Sequence, residues 1–262
     1  MGAGDGGEQT GALAGRTVMV TGASSGIGRA IALAAARAGA DVALTYRGSE
    51  GRARDAAAEI AALGRRAHVY QLDLGDGDAI APLVERAWAE LGTVHAWVNN
   101  AGADILTGPG AKLSHLEKLD LLLRVDLRGT MLASWAVAAR MRDQPGGGVI
   151  LNTSWDHVTF GMEGENPEMF SAVKGGVMSF SKSLARSVAP AVRVNILAPG
   201  WIETAFGAEI TEKPYYRFVV EQTPLKRWGT PEDVAGAAVW LMSPSAAFLT
   251  GQMVSVNGGV VM

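Results

Sequence analysis

The sequence predicts an α/β fold: one domain built on a doubly wound parallel sheet, with helices on both faces to give three layers (α/β/α). Three observations predict it. Short apolar runs alternate with longer helical patterns along the whole chain, as in repeated strand–helix–strand units with right-handed crossovers. The short runs are continuously apolar rather than alternating, as in a parallel sheet covered on both faces. A glycine-rich stretch joins the first such run to the first helical pattern. The length of 262 residues, 48% of them apolar, suits one such domain, and no Pro/Ser-rich linker or internal repeat divides it.

The elements follow in order. The apolar run Thr17–Thr21 is the first strand and the Ala-rich stretch Gly28–Ala38 the first helix. Strand Asp41–Tyr46 and helix Gly51–Leu63 come next, then strand Ala67–Leu72 and helix Ile80–Leu91. Strand Ala96–Asn99 leads to a long helical pattern over Ser114–Arg142. Strand Val149–Thr153, helix Ser171–Val188, strand Arg193–Leu197, helix Pro231–Met242 and strand Met253–Val256 complete the series. Glu203–Arg227 breaks the alternation. It follows the carboxyl end of a strand, the edge where such sheets bind ligands, and is read as a lid. Residues 1–14 are Gly-rich and lack a basic-then-apolar signal pattern, which predicts a disordered lead-in, a domain over residues 15–262 and a cytoplasmic protein.

Composition narrows the function. The net charge of −3 points to no nucleic-acid or membrane-surface partner. With no cysteine, disulfides, thiolate catalysis and thiolate metal sites are excluded. His68, His95, His115 and His157 show no metal-ligand spacing, so no metal is expected, and no apolar run approaches membrane-spanning length.

The stretch Thr21-Gly22-Ala23-Ser24-Ser25-Gly26-Ile27-Gly28 carries the functional signal. A strand, a glycine-rich turn and a helix in that order make a phosphate cradle. Gly22 permits a tight turn, Gly26 lets the backbone approach a pyrophosphate, and Gly28 lets the helix pack near the sheet. Ser24, Ser25 and Ile27 fill the turn. The helix N-terminus offers free N–H groups and a partial positive charge to the anion. The spacing is Gly-x-x-x-Gly-x-Gly, not Gly-x-Gly-x-x-Gly. Placed after the first strand, it predicts a Rossmann-type dinucleotide site. The second strand ends Leu44-Thr45-Tyr46-Arg47-Gly48-Ser49. A carboxylate here would hold a ribose 2′-hydroxyl. None is present, Arg47 is placed to pair with a 2′-phosphate, and Tyr46 to stack near the adenine. NADP(H) is therefore expected in preference to NAD(H).

Further motifs follow the later strands: Leu72-Asp73-Leu74, Asn99-Asn100-Ala101-Gly102, Pro199-Gly200-Trp201-Ile202-Glu203-Thr204, Pro231-Glu232-Asp233-Val234-Ala235, Thr250-Gly251-Gln252 and Val256-Asn257-Gly258-Gly259. With Thr21–Gly28, they make the chain resemble the short-chain dehydrogenase/reductase family, in its 3-oxoacyl-carrier-protein-reductase-like subgroup, from about Gly15 to the C-terminus. The resemblance implies that Asp73 and Leu74 meet the adenine. It places Asn99, Asn100, Ala101 and Gly102 along the cofactor, and Pro199, Gly200, Ile202 and Thr204 at its nicotinamide end. It also implies a homotetramer, with Ser114–Arg142 and Ser171–Val188 packing across a two-fold, where Ala172, Gly175 and Gly176 permit close approach.

The family's chemistry uses Tyr-x-x-x-Lys on one helix and a serine from the fifth strand. Hydride delivery to a carbonyl carbon leaves an alkoxide that must be protonated. The matching stretch here is Phe170-Ser171-Ala172-Val173-Lys174. Lys174 is kept, but Phe170 has no proton to give. The matching serine is Ser154, and the segment from Ser154 to Phe170 is a few residues longer than the family's. The family's helix asparagine aligns with Asp126, which can accept a water or pair with Lys174. Three explanations stand open. Asp156 or His157, just beyond Ser154, serves as a surrogate acid. Ser154 and water supply the proton in a slow reductase. Or hydride transfer is lost, and the chain binds NADP(H) in a sensing or structural role or runs non-redox chemistry. An enzyme is the preferred reading. Trp155, Met162, Trp201, Phe206, Tyr215 and Tyr216 are the expected pocket, suited to an apolar or aromatic carbonyl or alcohol.

Overall fold

The structure, a computed structural model, describes residues 11–205, 207 and 214–262. Its first strand, β1 (Thr17–Val20), is wholly buried. The chain then runs through α1 (Gly26–Arg37), β2 (Asp41–Tyr46), α2 (Glu50–Ala62), β3 (Ala67–Gln71), α3 (Gly77–Leu91) and β4 (Ala96–Asn99). After β4 come α4 (Gly108–Ala111), α5 (His115–Leu122), a π-helical turn over Leu123–Gly129, and α6 (Thr130–Asp143). The second half holds β5 (Gly148–Thr153), α7 (Glu165–Val188), β6 (Val192–Pro199), α8 (Pro214–Gln222), α9 (Pro231–Met242) and β7 (Met253–Val256).

Among the described residues seven strands pair in parallel, in the order β3-β2-β1-β4-β5-β6-β7. Successive β1 residues point to opposite faces. Val18 and Val20 enter a core under α1, α2 and α9 with Ile31, Val42, Val98 and Leu241. Met19 enters the other core with Trp97, Ile150, Trp88 and Met141, beneath α3, α6 and α7. This is the expected doubly wound three-layer fold. The strand order reverses between β1 and β4, and a crevice opens there at the carboxyl ends of the strands.

Three boundaries differ from expectation for physical reasons. The expected lead-in over residues 1–14 is too long: Leu13 is fully buried and its N–H donates to Ala38 O (2.9 Å), so the chain joins the domain before Gly15. Residues 1–10 lie outside the described residues. The expected single helix Ser114–Arg142 is broken by the π turn, which puts Asp126 in the interior. Helix α7 starts at Glu165 rather than Ser171, because Pro167 falls in its first turn, where a missing N–H costs nothing. Part of the expected lid, residues 206 and 208–213, is outside the described residues; the rest holds α8.

One long-range contact makes a prediction. Thr17 N donates to His95 Nδ1 (2.9 Å), and partial burial, followed by the nearby Arg16, pushes the His95 pKa below 6.5. The neutral ring is the accepting form, so the unfolded chain takes up the proton first. Its stabilising effect is whole above about pH 6.5 and is lost as pH falls through the folded-state pKa. Between pH 7 and 5 the wild type should lose more stability to urea than His95→Gln, which accepts without titrating. Equal losses would contradict it.

Candidate active site

The crevice begins at the turn out of β1. Gly22 and Gly26 hold positive φ (64° and 54°). A Cβ on Gly22 would lie 2.8 Å from Ala101 Cα, and one on Gly28 would lie 2.5 Å from both Gly22 O and Asn100 Nδ2. The glycines thus let the loop after β4 press against the turn. Thr21 fixes that approach: its hydroxyl accepts from the N–H groups of Asn100 and Ala101 (both 3.0 Å), and Asn100 Nδ2 donates to Thr21 O (3.1 Å). Thr21 was not among the expected site residues; its β-branched hydroxyl at a strand end, ahead of the glycines, was the available signal. Ser25 caps α1 without a side-chain bond, and Ser25 and Gly26 are exposed, with Ser24 and Ile27 half-buried beside them. The first N–H groups of α1 therefore face the crevice, free to meet an anion.

At the end of β2, Arg47 is exposed, and no ion pair engages it among the described residues. Tyr46 departs from expectation. Its ring is buried in the core under α1 and α2 and not held out to stack on an adenine. Asp73 is exposed, with Oδ1 accepting from Gly75 N (2.8 Å). The Leu74 side chain is buried in the second core, so only its backbone is available to a ligand.

On the other side of the crevice the π turn, α7 and β5 meet. Lys174 Nζ lies 2.8 Å from Asp126 Oδ2 and donates to Thr153 O (3.3 Å). Asp126 Oδ1 accepts from Ala103 N (2.8 Å), and a Cβ on Gly102 would fall 2.8 Å from Oδ2. Ser154 Oγ donates to Lys174 O (2.8 Å). Behind them a buried amide–hydroxyl network holds β4 and β5 to α6 and α7: Asn99 Nδ2 donates to Asn152 Oδ1 (2.8 Å) and to Ser134 Oγ (3.0 Å), and Asn152 Nδ2 to Ser181 Oγ (2.8 Å). Phe170, one helical turn before Lys174, sets its ring centre 5.4 Å from Lys174 Nζ and edge-on to Trp155.

A cavity of about 420 Å³ joins the two sides. Ile27, Thr153, Ser154, Lys174, Ile202 and Thr204 line it, with Pro199 and Gly200 from the end of β6. Its wall also carries Trp155, Met162, Phe170, Trp201, Tyr215 and Trp228, with Ile105 and Leu106. Of the expected pocket residues, Trp155, Met162, Trp201 and Tyr215 are there. Tyr216 is not: it stacks on Trp228 (4.9 Å) and its hydroxyl donates to Glu203 (2.5 Å). Phe206 is outside the described residues. Phe170 and Trp228 were missed as wall residues, since nothing local in a sequence says which strand-end loop an aromatic ring faces.

Asp156 and His157 are not on the cavity wall, contrary to their expected role beside Ser154. Asp156 is fully buried, bonded through Oδ1 to His157 Nδ1 (2.7 Å) and accepting at Oδ2 from Asn257 Nδ2 (3.1 Å). Its other side is closed by Gly200, where a Cβ would lie 2.9 Å from Oδ2. His157 stacks on the Trp155 ring (4.8 Å). The pair thus supports the aromatic wall from behind.

The fit to a dinucleotide rests on these observations: a turn with no room for a Cβ at Gly22 or Gly28, an open helix N-terminus, and the buried Thr153 Oγ1, which has no hydrogen-bond partner and lines the cavity. Relatives agree. A family model described as enoyl-(acyl carrier protein) reductase matches residues 22–261. The crystal structure of a short-chain dehydrogenase from Burkholderia cenocepacia J2315 in complex with NADP superposes with a TM-score of 0.85 at 32% identity, over 95% of this chain and 98% of that one. The chain belongs to the short-chain dehydrogenase/reductase family. Among sequence relatives of this short-chain dehydrogenase/reductase, L-rhamnose 1-dehydrogenase (NAD(P)(+)) of Sphingomonas sp. (strain SKA58) is 36% identical, covering 95% of this chain and 97% of that protein. The 3-oxoacyl-[acyl-carrier-protein] reductase of Synechocystis sp. is also 36% identical, covering 96% and 99%. Among the described residues no helix is long and apolar enough to cross a membrane.

The buried pair makes a prediction. Asp126→Ala leaves the Lys174 charge uncompensated and the Ala103 N–H unpaired, and should cost about 3–5 kcal/mol in urea unfolding. Adding Lys174→Met should recover part of that loss. A cost below about 1 kcal/mol, typical of exposed pairs, would contradict it.

Proposed function

We propose that this chain is an NADP(H)-dependent oxidoreductase that reduces an apolar or aromatic carbonyl, or oxidises the matching alcohol, with a proton donor other than the family's tyrosine. The observation that carries the reading is the shared cavity: Ser154, Lys174 and the unpartnered Thr153 hydroxyl line the same space as Ile27, Ile202 and Thr204, next to the α1 cradle. When bound, the cofactor supplies the hydride.

The chain's own residues do the rest. Backbone N–H groups at the start of α1, between Gly22 and Gly28, hold the pyrophosphate, with Ser24 and Ser25 at hand. Arg47 meets the 2′-phosphate. Asp73 and the backbone at Leu74, Asn100, Ala101 and Gly102 border the adenosine half. Pro199, Gly200, Ile202 and Thr204 border the nicotinamide. Lys174 has three N–H donors; Asp126 and Thr153 O use two, and the third is left for the ribose. Ser154 rotates its hydroxyl from Lys174 O to donate to the substrate oxygen. Phe170 stands where the family resemblance puts the tyrosine, so it shapes the pocket and moves no proton. The exposed Trp135 (50%) on α6 and Leu123 (40%) in the π turn support a homotetramer packed across Ser114–Arg142 and Ser171–Val188.

Arg47→Ala should weaken NADPH binding about tenfold, roughly 1.4 kcal/mol, and leave NADH binding unchanged, as read by fluorescence titration. Equal weakening of both, or none, would argue against NADP(H) preference. The function itself is tested by NADPH oxidation against a panel of aryl and alkyl ketones. Turnover on aryl ketones is the expected result. Tight NADPH binding with no turnover would leave a binding protein in place of an enzyme.

A further inference from the structure

Phe170 leaves open which group gives the proton, and the cavity wall narrows the choice. Among the described residues only three ionisable side chains line it: Asp104, Lys174 and Tyr215. Asp104 accepts from the N–H groups of Leu106 and Thr107 (both 2.9 Å) at Oδ1 and from the Thr107 hydroxyl at Oδ2, so both of its oxygens are engaged within its own loop. Lys174 is buried, and its ammonium is held by Asp126 and Thr153 O. The wall hydroxyls of Ser154, Thr153 and Thr204 are far weaker acids than a phenol.

Tyr215 differs from all of these. It sits in the first turn of α8, and its ring is set edge-on to Trp201 (5.5 Å) and stacked beside Phe218 (6.2 Å). Its hydroxyl makes no hydrogen bond among the described residues. Burial raises its pKa, so it keeps its proton at neutral pH. Its neighbour Tyr216 is excluded, because that hydroxyl is spent on Glu203.

We propose that Tyr215 Oη is the catalytic proton donor, placed on the cavity wall by α8 where the family places its donor on α7. The assignment rests on the oxidoreductase reading above. In the reductive direction, hydride from the reduced nicotinamide bonds to the carbonyl carbon, and the C=O π pair moves to oxygen. That oxygen takes the proton as the Tyr215 O–H bond breaks. The phenolate left behind regains a proton from water. Oxidation of the alcohol runs the same steps backwards.

The test compares wild type, Tyr215→Phe, Phe170→Tyr and the double variant. Single-turnover NADPH oxidation is measured against the aryl and alkyl ketone panel, and NADPH and ketone binding by quenching of tryptophan fluorescence. Tyr215→Phe should slow turnover about a hundredfold or more, with both binding constants within about twofold of wild type. Adding Phe170→Tyr to it should restore at least about tenfold, by returning a hydroxyl beside Lys174. If the wild type turns over and Tyr215→Phe matches it within about threefold, the assignment is wrong and the oxidoreductase reading stands. If the wild type is inactive across the panel, the oxidoreductase reading fails and the assignment falls with it; activity confined to Phe170→Tyr would show that Tyr215 does not supply the proton.

Discussion

The Lys174 ammonium and the Asp126 carboxylate lie 2.8 Å apart, nearly excluded from water, and four segments of chain are tied to them. Asp126 reaches in from the π turn, and its second oxygen fixes the loop after β4 at Ala103. Lys174 reaches from α7 to the end of β5 at Thr153, while its own carbonyl receives the Ser154 hydroxyl. Burying two ions costs several kcal/mol each, and only a geometry that satisfies their remaining donors and acceptors offsets it. These added bonds supply that geometry. The positions of Ser154, Thr153 and Phe170 all depend on where this pair holds α7 against the sheet.

The opposite wall of the crevice is set by sterics instead of charge. The Thr21 hydroxyl, the Asn100 amide and glycines with no room for a Cβ lock the β1 exit to the β4 exit. That arrangement leaves the start of α1 bare, and an anion suits it. One wall therefore leaves backbone N–H groups open, and the other brings Thr153, Ser154 and Lys174 to the cavity. On the aromatic side, Trp155 stacks on His157, which Asp156 and Asn257 hold from behind.

Much of this was legible in the sequence because it is written locally. Strands β2, β4 and β7 and the helix Pro231–Met242 have the expected boundaries, since apolar runs and turn residues bracket them. The glycine turn could be interpreted because Gly22 and Gly28 answer close contacts and Gly26 a positive φ. The π turn could not: Leu123–Gly129 carries no residue that distinguishes i+5 from i+4 bonding, and only the interior partner Lys174 draws Asp126 inward. The same limit explains Asp156 and His157. Their neighbour Ser154 suggested a place on the cavity, but Asn257, 101 residues from Asp156, turns that carboxylate into the interior. Tyr46 was drawn into the core by packing under α1 and α2, which a strand-end position does not reveal.

The central claim is that this site passes a hydride between NADP(H) and a carbon–oxygen bond without a tyrosine at position 170. The most direct measurement is mass spectrometry of the alcohol formed from an aryl ketone with NADPH deuterated at the transferred position of its nicotinamide ring. The account predicts one deuterium on the carbinol carbon, with one NADPH consumed per alcohol. Saturable NADPH binding with no deuterated alcohol formed would contradict it.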